Sequence, residues 1–417
     1  MVATQTNRYS TNISQISCQT GELGTDSHPW EQRQLGEVVQ IVGGGTPDSS
    51  NADYWDGDID WYTPSEIGER RSVETSARKI TLEGLVHSSA RLLPAGSILF
   101  TSRASIGLMA FISRPSATNQ GFQSLVPSNN VDSNFLYALG PYISRYAKKH
   151  AAGSTFIEIS GSSLAKAPLR IPSLAEQRRI GEFFSTLDSL IAAAERQEAL
   201  LRQKKQAYLQ LMFPQEGETR PRLRFNGFSG EWESLQLGKL YEKNTERNGN
   251  QFDAGKTLSV SSMTFNAFGN GAAEESLTTY KVLRIGDAAF EGHTSNEFAF
   301  GRFVVNTIGD GIMSPRFTAI RPTARWRQSC DLDFWSCYLH DENVMKRILV
   351  RSTKRGTMMN ELVLDDFFTE RIRVPSLPEQ RHIGKFFSTL ESLIAAAEER
   401  TKHLRELKGS YLQRMFA

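Results

Sequence analysis

The chain has 417 residues, of which 39% are hydrophobic and 23% charged, with a formal net charge of +2 at pH 7. This composition predicts a soluble globular protein with more than one domain, and the chain contains no run of about 18 apolar residues that could span a membrane. The small net charge neither favours nor excludes nucleic acid as a partner, because a DNA-binding face needs only a local concentration of Lys and Arg.

The first 25 residues are polar and lack the basic start and apolar stretch of a secretory signal. We therefore expect a loosely ordered tail over residues 1–25. Cys18, Cys330 and Cys337 show no metal-ligand spacing, so no metal site is expected. Three cysteines without an evident pairing suit a reducing cytoplasm.

A segment of 43 residues occurs twice, 203 positions apart. Its copies are residues 171–213 and 374–416, and 28 of the 43 aligned positions are identical. The start of each half also repeats, as WEQRQLG from Trp30 and WESLQLG from Trp232. This period is far too long for a solenoid unit, so we infer that a whole domain and a long helix are duplicated.

Each copy predicts a long α-helix, because it is rich in strong helix formers and carries apolar residues at every seventh position. Two matching seams predict an antiparallel coiled coil about a pseudo-twofold axis, with each helix spanning roughly 57 Å and a head at either end. The alternative is an amphipathic helix that packs only on its own domain. The predicted seam residues are Ile180, Leu187, Ala194, Leu201, Tyr208, Ile383, Leu390, Ala397, Leu404 and Tyr411.

The segments around these helices predict two heads of mixed α/β (α+β) structure. The first head covers residues 26–170, a linker rich in Pro, Gly and charge covers 214–231, and the second head covers 232–373. Strands are predicted within residues 96–114, 284–292, 298–307 and 317–322, and helices over residues 134–151 and 331–352. The two long helices occupy residues 171–213 and 374–417. A Gly-containing loop follows the predicted helix of each head, with Gly153 and Gly356 203 positions apart.

The order of motifs in this chain resembles that of the specificity subunit of type I restriction-modification systems, over essentially the whole length. The motifs are GGGTPDSSNADYWDGDIDWYTPSEIG at residues 43–68, SRASIGLMAFISRPSATNQGF at 102–122, the GST and GTM loops, PSLAEQRRI and PSLPEQRHI, and RLRFNGFSGEW before the second head. The first head lacks an RFNGF-like opening before Trp30, so its first strand is expected to differ.

The resemblance implies two target-recognition domains, each of which reads one half of a split, asymmetric site in double-stranded DNA. It also implies that the helices set the gap between the half-sites and dock two methyltransferase (modification) subunits and two restriction (motor-nuclease) subunits in a prokaryotic cytoplasm. S-adenosylmethionine, ATP and Mg would then be bound by the partner subunits and not by this chain. Elementary geometry agrees, because B-DNA has local dyads and heads of unlike sequence must read unlike half-sites.

The catalytic signatures of such systems are missing from the sequence. An amino-methyltransferase needs a Pro-Pro pair that this chain lacks, and GNQFDAGKT at Gly249 has five residues between its glycines where a phosphate loop has four. The chain is therefore expected to be non-catalytic. A non-DNA interaction scaffold and a self-contained restriction-modification enzyme are the alternatives.

Candidate DNA contacts are polar side chains on predicted loops, since Arg favours guanine and Asn or Gln favours adenine. Those chosen are Thr63, Ser65, Glu66, Ser102, Arg103, Gln120, Ser154, Ser314, Arg316, Lys354, Arg355 and Thr357. Basic clusters suit either phosphate contacts or solvated faces; they include Arg70, Arg71, Arg78, Lys79, Arg321, Arg325, Arg327, Lys346, Arg347 and Arg351. The pairs Thr46-Pro47, Tyr54-Trp55 and Asn119-Gln120 could equally be turn and core residues.

Overall fold

The structure is a computed structural model that describes residues 30–68, 70–153 and 157–416. The expected tail at residues 1–25 and the candidate Ser154 lie outside the described residues. The chain divides into two compact units, one with the first head up to Ala193 and the chain from Lys402 onward, the other from Ala194 to Thr401. Each unit therefore combines one head with parts of both long helices, and the fold is mixed α/β, as predicted.

The first head is built on a five-stranded and a three-stranded sheet. The five-stranded sheet has the order Val39–Gly43, Gln123–Pro127, Ile98–Phe100, Met109–Ile112 and Ser72–Val73, and the three-stranded sheet has the order Arg78–Ile80, Trp55–Tyr62 and Ser116–Thr118. The apolar side of the larger sheet packs on helices through residues such as Phe100, Phe135 and Ile143, none of which is exposed. The helices of this head are Leu35–Val38, Leu82–Val86, Ser133–Ala138, Gly140–His150 and Gly161–Leu164.

The second head has two four-stranded sheets. One sheet has the strand order Tyr241–Lys243, Thr318–Pro322, Ala288–Glu291 and Arg302–Val305. The other has the order Thr264–Asn266, Thr257–Ser259, Gly311–Met313 and Lys281–Leu283. A short ribbon pairs Thr353–Lys354 with Glu361–Leu362. The helices of this head are Leu237–Leu240, Ala324–Arg327, Leu332–Tyr338, Glu342–Ser352 and Leu364–Thr369.

Each head begins and ends on the same two-stranded antiparallel ribbon. In the first head Glu31–Gln34 pairs with Pro168–Ile171, and in the second Glu233–Gln236 pairs with Arg371–Val374. A long helix follows each ribbon, Leu174–Met212 after the first and Leu377–Phe416 after the second. The ribbons thus bring the two ends of each head together at the start of a long helix.

The long helices pack antiparallel within each unit. In the first unit Phe183 meets Tyr411 at a ring separation of 5.0 Å, and the Asp188 carboxylate lies 2.6 Å from the Lys408 amine. In the second unit the same pairs recur 203 positions away, as Phe386 with Tyr208 at 4.9 Å and Glu391 with Lys205. Along one helix the residue numbers rise while the numbers of the contacted residues on the other helix fall, as expected for antiparallel packing.

The predicted seam residues lie mostly inside the protein. Seven of the ten are buried, and Leu201, Tyr208 and Tyr411 are partly buried. Leu187 and Leu390, which occupy matching positions of the repeat, are 5% and 7% exposed. The heptad spacing therefore identified the buried faces of both helices.

The single helices predicted over residues 134–151 and 331–352 are wrong, because each is two helices. In the first head the chain turns at Leu139, and Pro141 stands in the first turn of the second helix, where its fixed φ is favourable and its missing N–H is not needed. In the second head Asp341 caps a new helix by accepting from Val344 N at 3.0 Å.

Candidate nucleic-acid interface

Four loops of the first head lie next to one another and carry all of its predicted contacts that the structure describes. We call them the first-head loop cluster: residues 63–66, 101–103, 119–121 and the flanks of the Gly153 loop, 152–153 and 157–158. The cluster sits beyond the ends of Trp55–Tyr62, Ile98–Phe100 and Ser116–Thr118.

The 119–121 loop joins two of its neighbours. A Cβ atom on Gly121 would lie 2.6 Å from Pro64 Cγ, so only glycine allows the loops to approach this closely. The Gly121 carbonyl accepts from Ser102 N at 2.8 Å on the other side. Thr46 Oγ1 donates to Gln120 Oε1 at 2.5 Å, while the rest of the exposed Gln120 amide faces outward from the turn.

Arg103 links the 101–103 loop to the flank of the Gly153 loop. Its Nε donates to Glu158 Oε2 at 2.7 Å, and the Arg103 side chain is still 42% exposed. Ser102 is fully buried and lies 3.4 Å from Glu158 Oε1. Arg103 can therefore still reach a ligand, whereas Ser102 supports the loop from inside the protein.

Glu66 organises its own loop. Its carboxylate accepts from Thr63 N at 2.7 Å, from Thr63 Oγ1 at 2.9 Å and from Ala77 N at 2.7 Å. This capping arrangement leaves Ser65 as the exposed hydroxyl of the turn. The exposed polar side chains among the predicted contacts of the first-head loop cluster are thus Ser65, whose hydroxyl lies 3.0 Å from Thr63 Oγ1, Gln120 and Arg103.

The second head brings its two groups of predicted contacts to one surface. Ser314 and Arg316 follow the strand Gly311–Met313, which runs parallel to Thr257–Ser259. Because parallel strands end at the same edge of a sheet, the hydroxyl-rich turn 259–264 leaves the sheet beside Ser314. Arg302 Nη2 donates to the Ser261 carbonyl at 3.1 Å, which places the end of the neighbouring sheet against this turn.

The same surface continues to the loop with Lys354, Arg355 and Thr357, all of which are exposed. Asn360 N donates to the Gly292 carbonyl at 2.8 Å, and a side chain at Gly292 would collide with the Asn360 carbonyl. Residues 259–264, 291–293, 302, 314–316 and 354–360 form what we call the second-head loop cluster. The sequence-based candidates lie in its two outer parts, and none lies at residues 259–264, 291–293 or 302.

Several basic residues that the sequence offered as phosphate contacts are engaged in internal contacts. Arg321 binds the fully buried Asp287 carboxylate through Nε and Nη2, at 2.9 and 2.6 Å. Arg78 stacks on the Trp55 ring at 3.6 Å, which gives the pair Tyr54-Trp55 a structural role. Lys79 lies 3.3 Å from the buried Asp60.

Asp60 shows how strongly such groups are held. Burial disfavours its charge, but hydrogen bonds from Ser76, Arg114 and Lys79 outweigh that cost and lower the pKa of Asp60 to about 2. The carboxylate is 1% exposed and remains ionised at neutral pH. Asp60 and its partners therefore stabilise the first head.

Arg71 attaches the first head to its long helix. Its guanidinium pairs with Asp188, donates to Asn134 Oδ1 at 2.6 Å and lies 4.5 Å from the Tyr137 ring centre.

Among the described residues there is no group of three or more His, Cys, Asp or Glu side chains that could hold a metal ion. The described helices include none that is long and apolar enough to cross a membrane.

Comparisons with known proteins agree with this architecture. Residues 27–203 match the family model of the type I restriction modification DNA specificity domain. The MjaIX specificity subunit of Methanocaldococcus jannaschii is 35% identical over 184 residues, 43% of each chain. The EcoR124I/EcoR124II specificity subunit of Escherichia coli is 34% identical over 190 residues, 43% of this chain and 46% of that one. The aligned segments span less than half the length of these curated relatives.

The fold itself matches over nearly the whole chain. A crystal structure of a type I restriction-modification S subunit from M. genitalium superposes with a TM-score of 0.58 at 14% identity, covering 95% of this chain and 98% of that one. A chain from work on complex assembly and conformational transition of the type I R-M system gives 0.51 at 17% identity, covering 93% and 97%. Residues 27–203 are thus similar to the type I restriction modification DNA specificity domain, and the chain has a fold like that of solved type I restriction-modification S subunits.

Proposed function

We propose that this chain is the sequence-specificity subunit of a type I restriction-modification complex. It binds a bipartite, asymmetric site in double-stranded DNA, with one half-site for each head. The observation that carries this proposal is the pair of loop clusters, which sit on two heads of one duplicated scaffold and present different side chains. A duplicated scaffold with unlike reading surfaces is what an asymmetric two-part site requires.

The chain itself is non-catalytic in this proposal. Two methyltransferase subunits dock on it and bind S-adenosylmethionine, and two restriction subunits bring ATP and Mg chemistry. A methyltransferase that acts on adenine inside a duplex must extrude the base, which costs a few kcal/mol of unstacking. A subunit that holds the duplex on both sides of the gap supports that step by fixing the flanking half-sites.

A domain exchange tests the proposal directly. The chain is expressed with its neighbouring methyltransferase subunit, and the methylated motif is determined by single-molecule sequencing of the cellular DNA. We expect a split, asymmetric motif with methyladenine in both halves. Replacing residues 30–170 by another first head should change one half of the motif and leave the other half intact.

Two results would contradict the proposal. A co-purifying complex that methylates no site and shows no salt-sensitive binding to DNA would favour an interaction scaffold instead. A domain exchange that changes both halves of the motif would exclude independent reading by the two heads. The matched control is the parent chain in the same host.

A further inference from the structure

His293 occupies the middle of the second-head loop cluster and is held there by a buried carboxylate. Glu291, the last residue of the strand Ala288–Glu291, is 6% exposed. Its carboxylate accepts from His293 N at 3.0 Å and pairs with His293 Nδ1. The His293 side chain is nevertheless 60% exposed, so the buried Glu291 carboxylate holds a ring that is accessible to solvent.

The surroundings of Glu291 and His293 limit their movement. Arg302 Nε lies 3.6 Å from the second carboxylate oxygen of Glu291, and Arg302 also donates to the Ser261 carbonyl. On the other side Gly292 is pinned by its hydrogen bond from Asn360 N. A side chain at Gly292 would strike Asn360, so this turn is restricted to glycine.

Burying the Glu291 carboxylate costs folding free energy unless the carboxylate is paired and hydrogen-bonded. Here the pairing orders an exposed ring that would otherwise sample several rotamers. Ordering a side chain before a ligand arrives lowers the entropy cost of binding. Since Nδ1 donates to Glu291, Nε2 is the ring nitrogen left to meet a ligand.

We propose that His293 reads a base edge in the second half-site and that Glu291 is its positioning residue. This inference rests on the proposed function and names one of its reading groups. A neutral ring with Nδ1–H bound to Glu291 accepts through Nε2 from the amino group of adenine or cytosine. A protonated ring donates through Nε2 to guanine N7 or O6.

The position of His293 supports this assignment. The exposed Lys354 and Arg355 follow on one side through Asn360, and Ser314 with Arg316 follow on the other through the 259–264 turn. Lys and Arg suit phosphate contacts, which fix the register of a protein on the duplex. On this assignment, a base edge faces the preordered polar ring between these groups.

The experiment uses the full chain in complex with its methyltransferase subunit, acting on a plasmid library with randomised target sites. His293→Gln and His293→Ala are compared with the wild type by methylation sequencing. We expect discrimination at one base pair of the second half-site to fall about tenfold or more, with the first half-site unchanged. Glu291→Gln should weaken discrimination at that same base pair.

His403→Gln provides the matched control, because His403 is an exposed histidine on the second long helix. Its motif should equal that of the wild type. An unchanged motif in an active His293→Gln complex would overturn the inference. A loss of affinity that is uniform over all sequences, with a smaller salt dependence, would also overturn it, because that result identifies a phosphate contact.

The controls separate this inference from the proposed function. If the wild-type complex methylates no split motif, the proposed function fails. If the wild type reads a split motif and both His293 variants read the same one, only the role of His293 fails. Should His293→Ala not assemble, the assembled His293→Gln complex decides between these outcomes.

Discussion

Two helix glycines set how closely each head approaches its long helix. Gly181 faces the start of Ser133–Ala138, where its Cβ would lie 2.7 Å from Phe135 N and closer still to Asp132 Oδ1. Gly384, 203 positions later, has the same relation to Phe334 and Asp331. Both aspartates are N-caps that accept from those N–H groups at 2.9 Å. Glycine is poor in a helix interior, so this packing compensates for its cost.

Gly384→Ala should therefore destabilise the second unit. The added methyl group meets backbone and the capping carboxylate of Asp331, so overpacking and a weakened cap combine to cost about 2–4 kcal/mol of unfolding free energy. Gly409 lies in the same helix with no atom within 4 Å of an added Cβ, so Gly409→Ala should stabilise by up to about 1 kcal/mol. Urea unfolding of the full chain measures both changes. Equal effects of the two variants would refute the close-approach argument.

At the scale of single residues, the structure gives two of the predicted contacts a role inside the protein. Sequence reasoning named Ser102, which is buried, and Glu66, whose two carboxylate oxygens are used within its own turn. It did not name His293 among the candidate contacts. Burial and hydrogen-bond partners depend on contacts between distant segments, such as Ser102 with Gly121, and no local pattern encodes them.

Among the elements, helix caps explain where the sequence-based boundaries fail. The sequence predicts one helix over residues 331–352, yet the first helix ends at Tyr338 and Asp341 is the N-cap of the next. An Asp within such a run is compatible with a solvated face as well as with a cap. The two alternatives differ only in whether the side chain meets Val344 N, which the packing of the head decides.

Asp341 also makes a specific contribution to the pH dependence of stability. Burial raises its pKa to about 6, although hydrogen bonds from backbone N–H groups oppose the shift. Between pH about 4 and 6 the folded state holds a proton that the unfolded state has released, so this contribution to stability is lost as the pH rises through that window. Asp341 thus weakens the second head at neutral pH.

Asp341→Asn should remove this loss, because Asn is an equally good N-cap and carries no charge. Relative to the wild type, we expect the variant to gain up to about 2 kcal/mol of unfolding free energy between pH 4 and pH 8. Chemical denaturation at a series of pH values measures the difference. Asp341→Ala is the control, since it removes charge and cap together. If the difference in unfolding free energy between the wild type and Asp341→Asn stays constant from pH 4 to pH 8, Asp341 does not have a raised pKa in the folded state.

For the whole molecule, the repeat predicted the fold class, the two long helices and their buried faces. The matching pairs Phe183–Tyr411 and Phe386–Tyr208 show why, since identical sequences at matching positions make identical contacts. The repeat could not predict the order of the strands in the sheets of the two heads. Their strands are mostly three to five residues long and pair across distant segments, so periodicity alone carries little information on their order.

The duplicated helices lead to the last prediction, which concerns the gap between half-sites. Inserting seven residues after Ala194 and seven after Ala397 lengthens each helix by about 10.5 Å and keeps the heptad register. If the helices set the separation of the heads, the unread gap should lengthen by about one to three base pairs, because B-DNA rises 3.4 Å per base pair along each strand. Methylation sequencing of cellular DNA reads the new gap.

Both half-sites should stay the same in that variant, since neither head is altered. A seven-residue insertion after Gly217 is the control, because Gly217 lies in the linker, and a Cβ there would meet no atom within 4 Å. That insertion lengthens the chain and leaves the helices as they are, so the gap should not change. A longer gap from the linker insertion, or an unchanged gap from an active double-helix insertion, would show that something other than helix length separates the half-sites.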